Sequence, residues 1–227
     1  MSVLELEEVT KEYPGSPSVF ALRSASLVIT SGELAAIVGP SGSGKSTLLA
    51  IAGTLERPST GRVTVAGNPV ENLCDRDLSA IRAYEIGFVF QQFFLVPTLS
   101  TLDNVANGLL YRGVGVEERR RAARHALEDV DLAHRMSHRP TELSGGECQR
   151  AAIARALVGD PAIILADEPT GNVDSIQGTG ILRVLTELNR NGATIVIVTH
   201  NQEIADALPR TVRLRDGAIE EDTGTPK

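Results

Sequence analysis

The sequence predicts an α/β fold organised around a phosphate-binding loop, and three observations carry that prediction. The stretch Gly39-Pro40-Ser41-Gly42-Ser43-Gly44-Lys45-Ser46-Thr47 fits G-x-x-x-x-G-K-[ST]. An apolar run at 34–38 precedes it and reads as a buried strand, and 48–52 reads as the start of a helix. Two more apolar runs, 162–166 and 194–199, read as buried strands, the first as a central strand of a parallel sheet. The loop glycines let backbone N–H groups curl inward around an anion, and the helix start adds partial positive charge. Lys45 is placed to reach β- and γ-phosphates, and Ser46 to offer its hydroxyl to Mg²⁺. The alternative, a Gly/Ser-rich turn that happens to hold a lysine, does not account for the strand and helix on either side.

A chain of 227 residues, 42% hydrophobic and 22% charged, suits one large domain or two small ones with a substantial core. The formal net charge of −7 argues against a general nucleic-acid binder. The local basic cluster Arg119-Arg120-Arg121 with Arg124 reads as a solvated helix face, with Glu117 four residues before Arg121. Cys74 and Cys148 make no metal-spaced or C-x-x-C pattern and suit a reducing compartment. The first residues show no basic segment followed by an apolar core, so no signal peptide is expected. No apolar run approaches the roughly 20 residues that span a bilayer, so any membrane link is expected to go through a partner.

In chain order, residues 3–9 alternate as a short strand, 13–17 form a turn or loop, and 19–29 and 61–67 are further strands. Together they predict an antiparallel β layer beside the loop unit. Tyr13 either stacks on a nucleobase at the mouth of the site or packs on its own domain. Residues 71–82 read as helix and 86–90 as strand. Four of the five phenylalanines, Phe88, Phe90, Phe93 and Phe94, fall within seven residues. The first two read as buried strand residues. The last two lie in a connection and either form a docking surface or pack under the next helix. Ser100-Thr101-Leu102-Asp103 opens a helix toward Leu110. Residues 116–130 form another, with Val116, Ala123, Leu127 and Val130 along one stripe. His134 and His138 lack a third ligand and read as solvent-exposed.

Leu143-Ser144-Gly145-Gly146-Glu147 leads into a strong helix and reads as a second anion cradle by the same physics as the first. Two cradles about a hundred residues apart are excessive for one nucleotide, unless the second serves a nucleotide held by another copy. The apolar run 162–166 ends in Asp167-Glu168, at the strand end where ligands collect in open α/β sheets. Asp167 is placed to hold Mg²⁺ or its water shell, and Glu168 to orient the attacking water. Residues 176–191 form a helix closed by Gly192, and 194–199 end at His200, placed to contact a γ-phosphate. Residues 212–220 read as a hairpin with a type I′ turn at Asp216-Gly217, and 221–227 as a disordered tail.

Taken together, the ordered motifs resemble an ATP-binding-cassette (ABC) nucleotide-binding domain over essentially the whole chain. They are the phosphate loop 39–47, Gln91, Leu143 to Glu147, Ile163 to Glu168, Asp174 and His200. Phe88-Val89-Phe90-Gln91, Leu95-Val96-Pro97-Thr98-Leu99 and Thr170-Gly171-Asn172-Val173-Asp174-Ser175 are similar to the MacB/LolD type. The departures are mild. Val96 and Val173 stand where leucine is common, Glu147 where glutamine is commoner, and Cys148 where a polar residue is usual.

The resemblance implies a P-loop, RecA-like core with an antiparallel β subdomain at about 1–90 and 155–227, and a helical subdomain at about 92–154. Its catalytic residues would be Glu168, His200, Lys45 and Gln91. ATP would be bound by Tyr13, Gly39, Ser41, Gly42, Ser43, Gly44, Lys45, Ser46 and Thr47, and from a second copy by Ser144, Gly145, Gly146, Glu147 and Asp174. Mg²⁺ would be held by Ser46, Gln91 and Asp167. The implied partners are a second copy in a head-to-tail ATP sandwich and a membrane-spanning permease of MacB type, with no nucleic acid. The implied place is the cytoplasmic face of the cell membrane. An FtsE-like mechanical signalling ATPase controlling cell-wall hydrolases shares this subunit design. A soluble ABC ATPase of DNA repair or translation would need tandem cassettes, long coiled coils or zinc insertions, which this sequence lacks.

Overall fold

A computed structural model describes residues 1–224. In chain order the elements are β1 (Ser2–Tyr13), β2 (Val19–Thr30), β3 (Leu34–Val38), α1 (Lys45–Ala52), β4 (Thr60–Val65), β5 (Asn68–Pro69), α2 (Asp75–Glu85) and β6 (Ile86–Val89). They continue with α3 (Thr101–Ala106), α4 (Val116–Asp129), α5 (Gly145–Leu157), β7 (Ile163–Asp167), α6 (Ser175–Arg190), β8 (Ile195–Thr199), α7 (Gln202–Asp206), β9 (Arg210–Arg215) and β10 (Ala218–Asp222).

The apolar runs do what continuous runs do: they fill the middle of a sheet buried on both faces. Six strands lie in the order β10-β9-β3-β8-β7-β6, with β9, β3, β8, β7 and β6 mutually parallel and β10 antiparallel at one edge. Alternation splits each strand between two cores. Ile37, Leu165, Val196 and Val198 pack with α1 and with the second sheet. Ile164, Ala166, Ile195 and Ile197 pack with Val105, Leu127, Ile153 and Leu185 from the helices of the other face. The second sheet is antiparallel, in the order β2-β1-β4-β5.

The register positions the chemistry. Val38 pairs with Thr199, Asp167 with Val198, and Val89 with Ala166. Because these strands are parallel, the loop after β3, the acidic pair ending β7, His200 after β8 and Gln91 after β6 emerge along one edge of the sheet.

Several expectations are revised. The strand expected at 3–9 runs from Ser2 to Tyr13, so Tyr13 ends a strand and is not part of the loop. The helix expected from 71 starts at Asp75, because the Glu71 carboxylate is held by the Val63 backbone N–H on β4. The helix opened by Ser100 ends at Ala106 and tightens to a 3-10 segment, Asn107–Arg112. Val116 is 53% exposed and leaves the apolar stripe, whereas Ala123, Leu127 and Val130 are buried. Phe88 and Phe90 are only half-buried. His138 is not a solvent-exposed histidine but half-buried, with Nε2 3.2 Å from the Arg135 guanidinium. Glu221 and Asp222 belong to β10, not to a loose tail. The half-buried Asp222 carboxylate takes two donors from Arg210, at 2.8 and 2.6 Å, and Arg210 also pairs with Glu33. The rest of the expected tail, 225–227, lies outside the described residues. Cys148 is buried at the start of α5, and Cys74 is exposed.

Candidate functional site

The loop between β3 and α1 is built by close approach. A Cβ at Gly39 would lie 2.0 Å from the Leu214 carbonyl oxygen, so only glycine lets β9 pass beside the loop. Gly44 has φ 101°, and a Cβ there would lie 2.2 Å from the Ala21 carbonyl oxygen. No side chain caps the start of α1, and no acidic residue lies in its first turn. Its orphan N–H groups and positive end therefore face the loop without a competing anion. The Ser43 hydroxyl is buried and has no hydrogen-bond partner.

Lys45 is buried and folds back on the loop, donating to the carbonyls of Gly39 (2.7 Å) and Pro40 (2.8 Å). Burial pushes its pKa down, and the charges of Glu168 and Asp167 oppose that. Across from it, burial pushes the Asp167 carboxyl up and the neighbouring Glu168 charge adds to the effect. Glu168 has φ 44°, uncommon for a residue with a side chain. That turn directs its carboxylate to β8, where Oε2 accepts from Thr199 Oγ1 (3.0 Å) and Oε1 accepts from the His200 N–H (2.8 Å). His200 Nδ1 lies 2.6 Å from the same Oε1. His200 itself is exposed.

These residues fit a nucleotide with its dication. The half-buried Asp167 carboxyl beside a second carboxylate gains from a nearby cation. The exposed Ser46 hydroxyl supplies a second oxygen donor one position past Lys45. No group of three or more His, Cys, Asp or Glu that could hold a metal occurs among the described residues.

Tyr13 is 37% exposed, and its hydroxyl donates to Glu56 Oε2 (2.6 Å). That contact, with burial, holds the phenol pKa above its usual value, and the Thr47 hydroxyl pulls the other way. Lys11 Nζ lies 5.1 Å from the ring centroid and ion-pairs with Glu56 (3.2 Å). Gln91 is held elsewhere: its side-chain nitrogen donates to Asn172 Oδ1 (3.3 Å), and Asn172 donates back to the Gln91 carbonyl (2.9 Å). Its side chain thus bonds the loop after β7 and neither Ser46 nor Asp167.

The second cradle is a closed helix start. Ser144 Oγ accepts from the Glu147 N–H (3.2 Å), and Glu147 Oε2 accepts from the Ser144 N–H (2.8 Å). Glu147 also takes Arg135 Nε at 2.9 Å. Asp174 caps α6, and Gln177 from its first turn reaches across to Gly146. No hydrogen bond or ion pair among the described residues joins this cradle to the phosphate loop. The connection after β6 carries Phe94, 62% exposed, edge-on to Phe90 at 5.4 Å, with Phe90 stacked on Phe88 at 5.5 Å. Arg155 pins it from α5, donating to the carbonyls of Phe94 (2.5 Å) and Phe93 (2.8 Å). The three rings line a cavity of about 330 Å³.

The sequence points to Lys45, Asp167, Glu168 and His200 but not to the residues that hold the site residues in place. Thr199 bonds Glu168, Asn172 bonds Gln91, Gln177 bonds Gly146 and Asp174, and Glu56 bonds Tyr13. Of these, Thr199 and Gln177 fall in an expected strand and helix, Asn172 in a motif of the resemblance, and Glu56 in no expected element. No local pattern marks them, because each acts on a partner 31 or more residues away.

Residues 22–171 match the ABC transporter family model. The chain is 48% identical over 220 residues to the lipoprotein-releasing system ATP-binding protein LolD of Geobacter metallireducens, covering 96% of this chain and 98% of that protein. It is 48% identical over 224 residues to the macrolide export ATP-binding/permease protein MacB of Chromobacterium violaceum, covering 98% of this chain but 35% of that longer one. Among solved structures it is similar to the ATP-binding cassette MJ0796, a dimer in a post-hydrolysis state bound to ADP and Pi. The TM-score is 0.86 at 44% identity, over 96% of this chain and 97% of that one. With the loop, the acidic pair and the histidine along one sheet edge, these matches show that the chain belongs to the ABC transporter ATP-binding family, of MacB/LolD type.

Proposed function

We propose that this chain hydrolyses ATP as a head-to-tail dimer and drives a MacB-type membrane permease in the export or extraction of a substrate. The observation that carries the reading is the cluster at the ends of β7 and β8, with Glu168 bonded to Thr199 and His200 and electrostatically coupled to Lys45. In it Lys45 exchanges the Gly39 and Pro40 carbonyls for phosphate oxygens, and the uncapped α1 start holds the same phosphates. Ser46 and Asp167 would hold Mg²⁺, which neutralises charge developing on the phosphates. Glu168 accepts a proton from the attacking water, and Thr199 and the His200 N–H keep its carboxylate in place. Tyr13 stacks on the adenine. Gln91 reports on the site from the connection that leads to Phe94.

The second cradle, Ser144 to Glu147, and Asp174 meet the nucleotide of the other copy, which answers the excess of cradles. The dimer seen for MJ0796 and the ADP and Pi it holds support this. No helix among the described residues is long and apolar enough to cross a membrane, so the permease would be a separate chain or segment. We take residues 92–154 as the helical subdomain that moves with the second cradle. The Phe88–Phe90–Phe94 groove is the surface that receives the permease, at the cytoplasmic side of the membrane. Relatives named for export and for lipoprotein release favour this over the mechanical signalling alternative.

The test is Glu168→Gln. Turnover is expected to fall about 10²-fold or more, while ATP gathers the chain into a dimer visible by sedimentation. Near-normal turnover, or a chain that stays monomeric with saturating ATP, would overturn the reading. Co-expression with the permease checks the groove: Phe93→Ser with Phe94→Ser is expected to abolish co-purification while ATP binding survives.

A further inference from the structure

The Gly146 N–H at the start of α5 already has an acceptor. It donates to Gln177 Oε1 at 2.5 Å. Gln177 lies three residues past Asp174 and is tied to it twice: its side-chain nitrogen donates to Asp174 Oδ2 and its backbone N–H to Oδ1, each at 2.8 Å. The carboxamide lies directly over the helix start. Gly146 is buried, and a Cβ there would lie 2.5 Å from Gln177 Oε1 and 3.2 Å from Gln177 Cβ. A phosphate oxygen and this carboxamide oxygen compete for the same N–H.

We propose that Gln177 is a latch on the second cradle, holding the Gly146 N–H closed in the lone chain and releasing it when a second copy engages Asp174. The inference rests on the reading that Ser144 to Glu147 faces the nucleotide of the other copy. The physics is an exchange of partners. Asp174 Oδ2 orients the Gln177 carboxamide, and a second copy that draws Asp174 toward itself removes that orienting acceptor. The freed carboxamide leaves, and the N–H meets a phosphate oxygen, a charge-assisted and stronger acceptor. A neutral carboxamide suits this exchange. A carboxylate at the same position would grip the positive helix end harder and repel both Asp174 and the incoming phosphate.

The experiment measures the ATP concentration giving half-maximal dimer, by sedimentation, in the Glu168→Gln chain, with thermal melting alongside. Loss of one neutral hydrogen bond that must be broken corresponds to about a two- to tenfold change. Gln177→Ala is therefore expected to dimerise at two- to tenfold lower ATP. Gln177→Ser, too short to reach Gly146, is expected to match it and guards against a fold defect in either variant. Gln177→Glu is expected to need more ATP than the parent. A residue that merely supported the helix start would shift both short variants the other way, and equal or higher ATP requirements in folded Gln177→Ala and Gln177→Ser overturn the latch. Gly145→Asp separates the two readings. A Cβ at Gly145 meets nothing closer than 3.5 Å, and its carboxylate would repel the other copy's phosphate. Parent-like dimerisation of Gly145→Asp overturns the underlying assignment. A block there with no shift in Gln177→Ala overturns the latch alone.

Discussion

The two helix starts of this chain use the same physics in opposite states. At α1 no side chain caps the N-terminus, the Ser43 hydroxyl is buried without a partner, and the nearby Asp167 carboxyl is pushed up by burial. At α5 the Ser144–Glu147 capping box closes the turn, Arg135 neutralises Glu147, and Gln177 covers Gly146. The first cradle is under-satisfied and shaped in advance. The second is internally satisfied and must exchange partners before it can take a ligand. A helix dipole alone does not make an anion site; what decides is whether the chain has already filled the orphan N–H groups.

The sharpest way to break this comparison is to place a methyl group at each cradle. Gly39→Ala drives a Cβ against the Leu214 backbone carbonyl, which cannot move without displacing β9. Nucleotide binding by the isolated chain is expected to be lost, or weakened at least about 100-fold, as measured by calorimetry. A Cβ at Gly145 would lie 3.5 Å from Val173 Cγ1, 3.6 Å from the Asn172 carbonyl oxygen and 4.0 Å from Gln177 Oε1, all ordinary contact distances. Gly145→Ala is expected to leave nucleotide binding by the isolated chain unchanged and to melt at or slightly above the parent temperature, since alanine favours helix over glycine by up to about 1 kcal/mol. Equal damage from both would mean that the cradles are equally preformed.

Glu147→Gln tests the closed state more gently. The Ser144 backbone N–H, with help from the Ser144 hydroxyl and Arg135, holds the Glu147 carboxyl below its usual range. A carboxyl depressed in the folded chain contributes stability that is complete above its unfolded value, about 4.3, and is lost as pH falls through the lower folded value. Glutamine keeps an acceptor but loses the charge, at a cost of about 0.5–1 kcal/mol near neutral pH. The difference in melting temperature between parent and variant is expected to shrink as pH drops below about 4. A constant difference would remove the charge from the account.

The smallest effect is expected at Cys148, one residue past that box. Its thiol is buried, bonded to the Pro140 carbonyl at 3.5 Å, and its pKa is pushed up chiefly by burial. A maleimide is expected to label the exposed Cys74 and spare Cys148, leaving ATP turnover unchanged. Fast labelling of Cys148 would show that the α5 start opens without a partner.

The sequence by itself determined the sheet interior, the phosphate loop and the acidic pair, because each is written locally. A continuous apolar run has to be buried on both faces, as the runs in β3, β7 and β8 are. A glycine-rich turn between a strand and a helix makes a cradle wherever it occurs. The stretch Ser144 to Glu147 reads locally as an anion cradle like the first, and the structure shows it closed by a capping box. Only the tertiary structure decided that Glu168 turns through a positive φ to meet Thr199 and His200, that Gln91 bonds Asn172, and that Gln177 covers Gly146. Those contacts depend on strand register and on how α5 lies against α6. Both follow from packing summed over the whole core, and no run of neighbouring residues encodes them. The half-buried Phe88 and Phe90 and the shortened apolar stripe of α4 were misread for the same reason. Apolar character says that a face can be buried, and only the arrangement of its neighbours says whether it is.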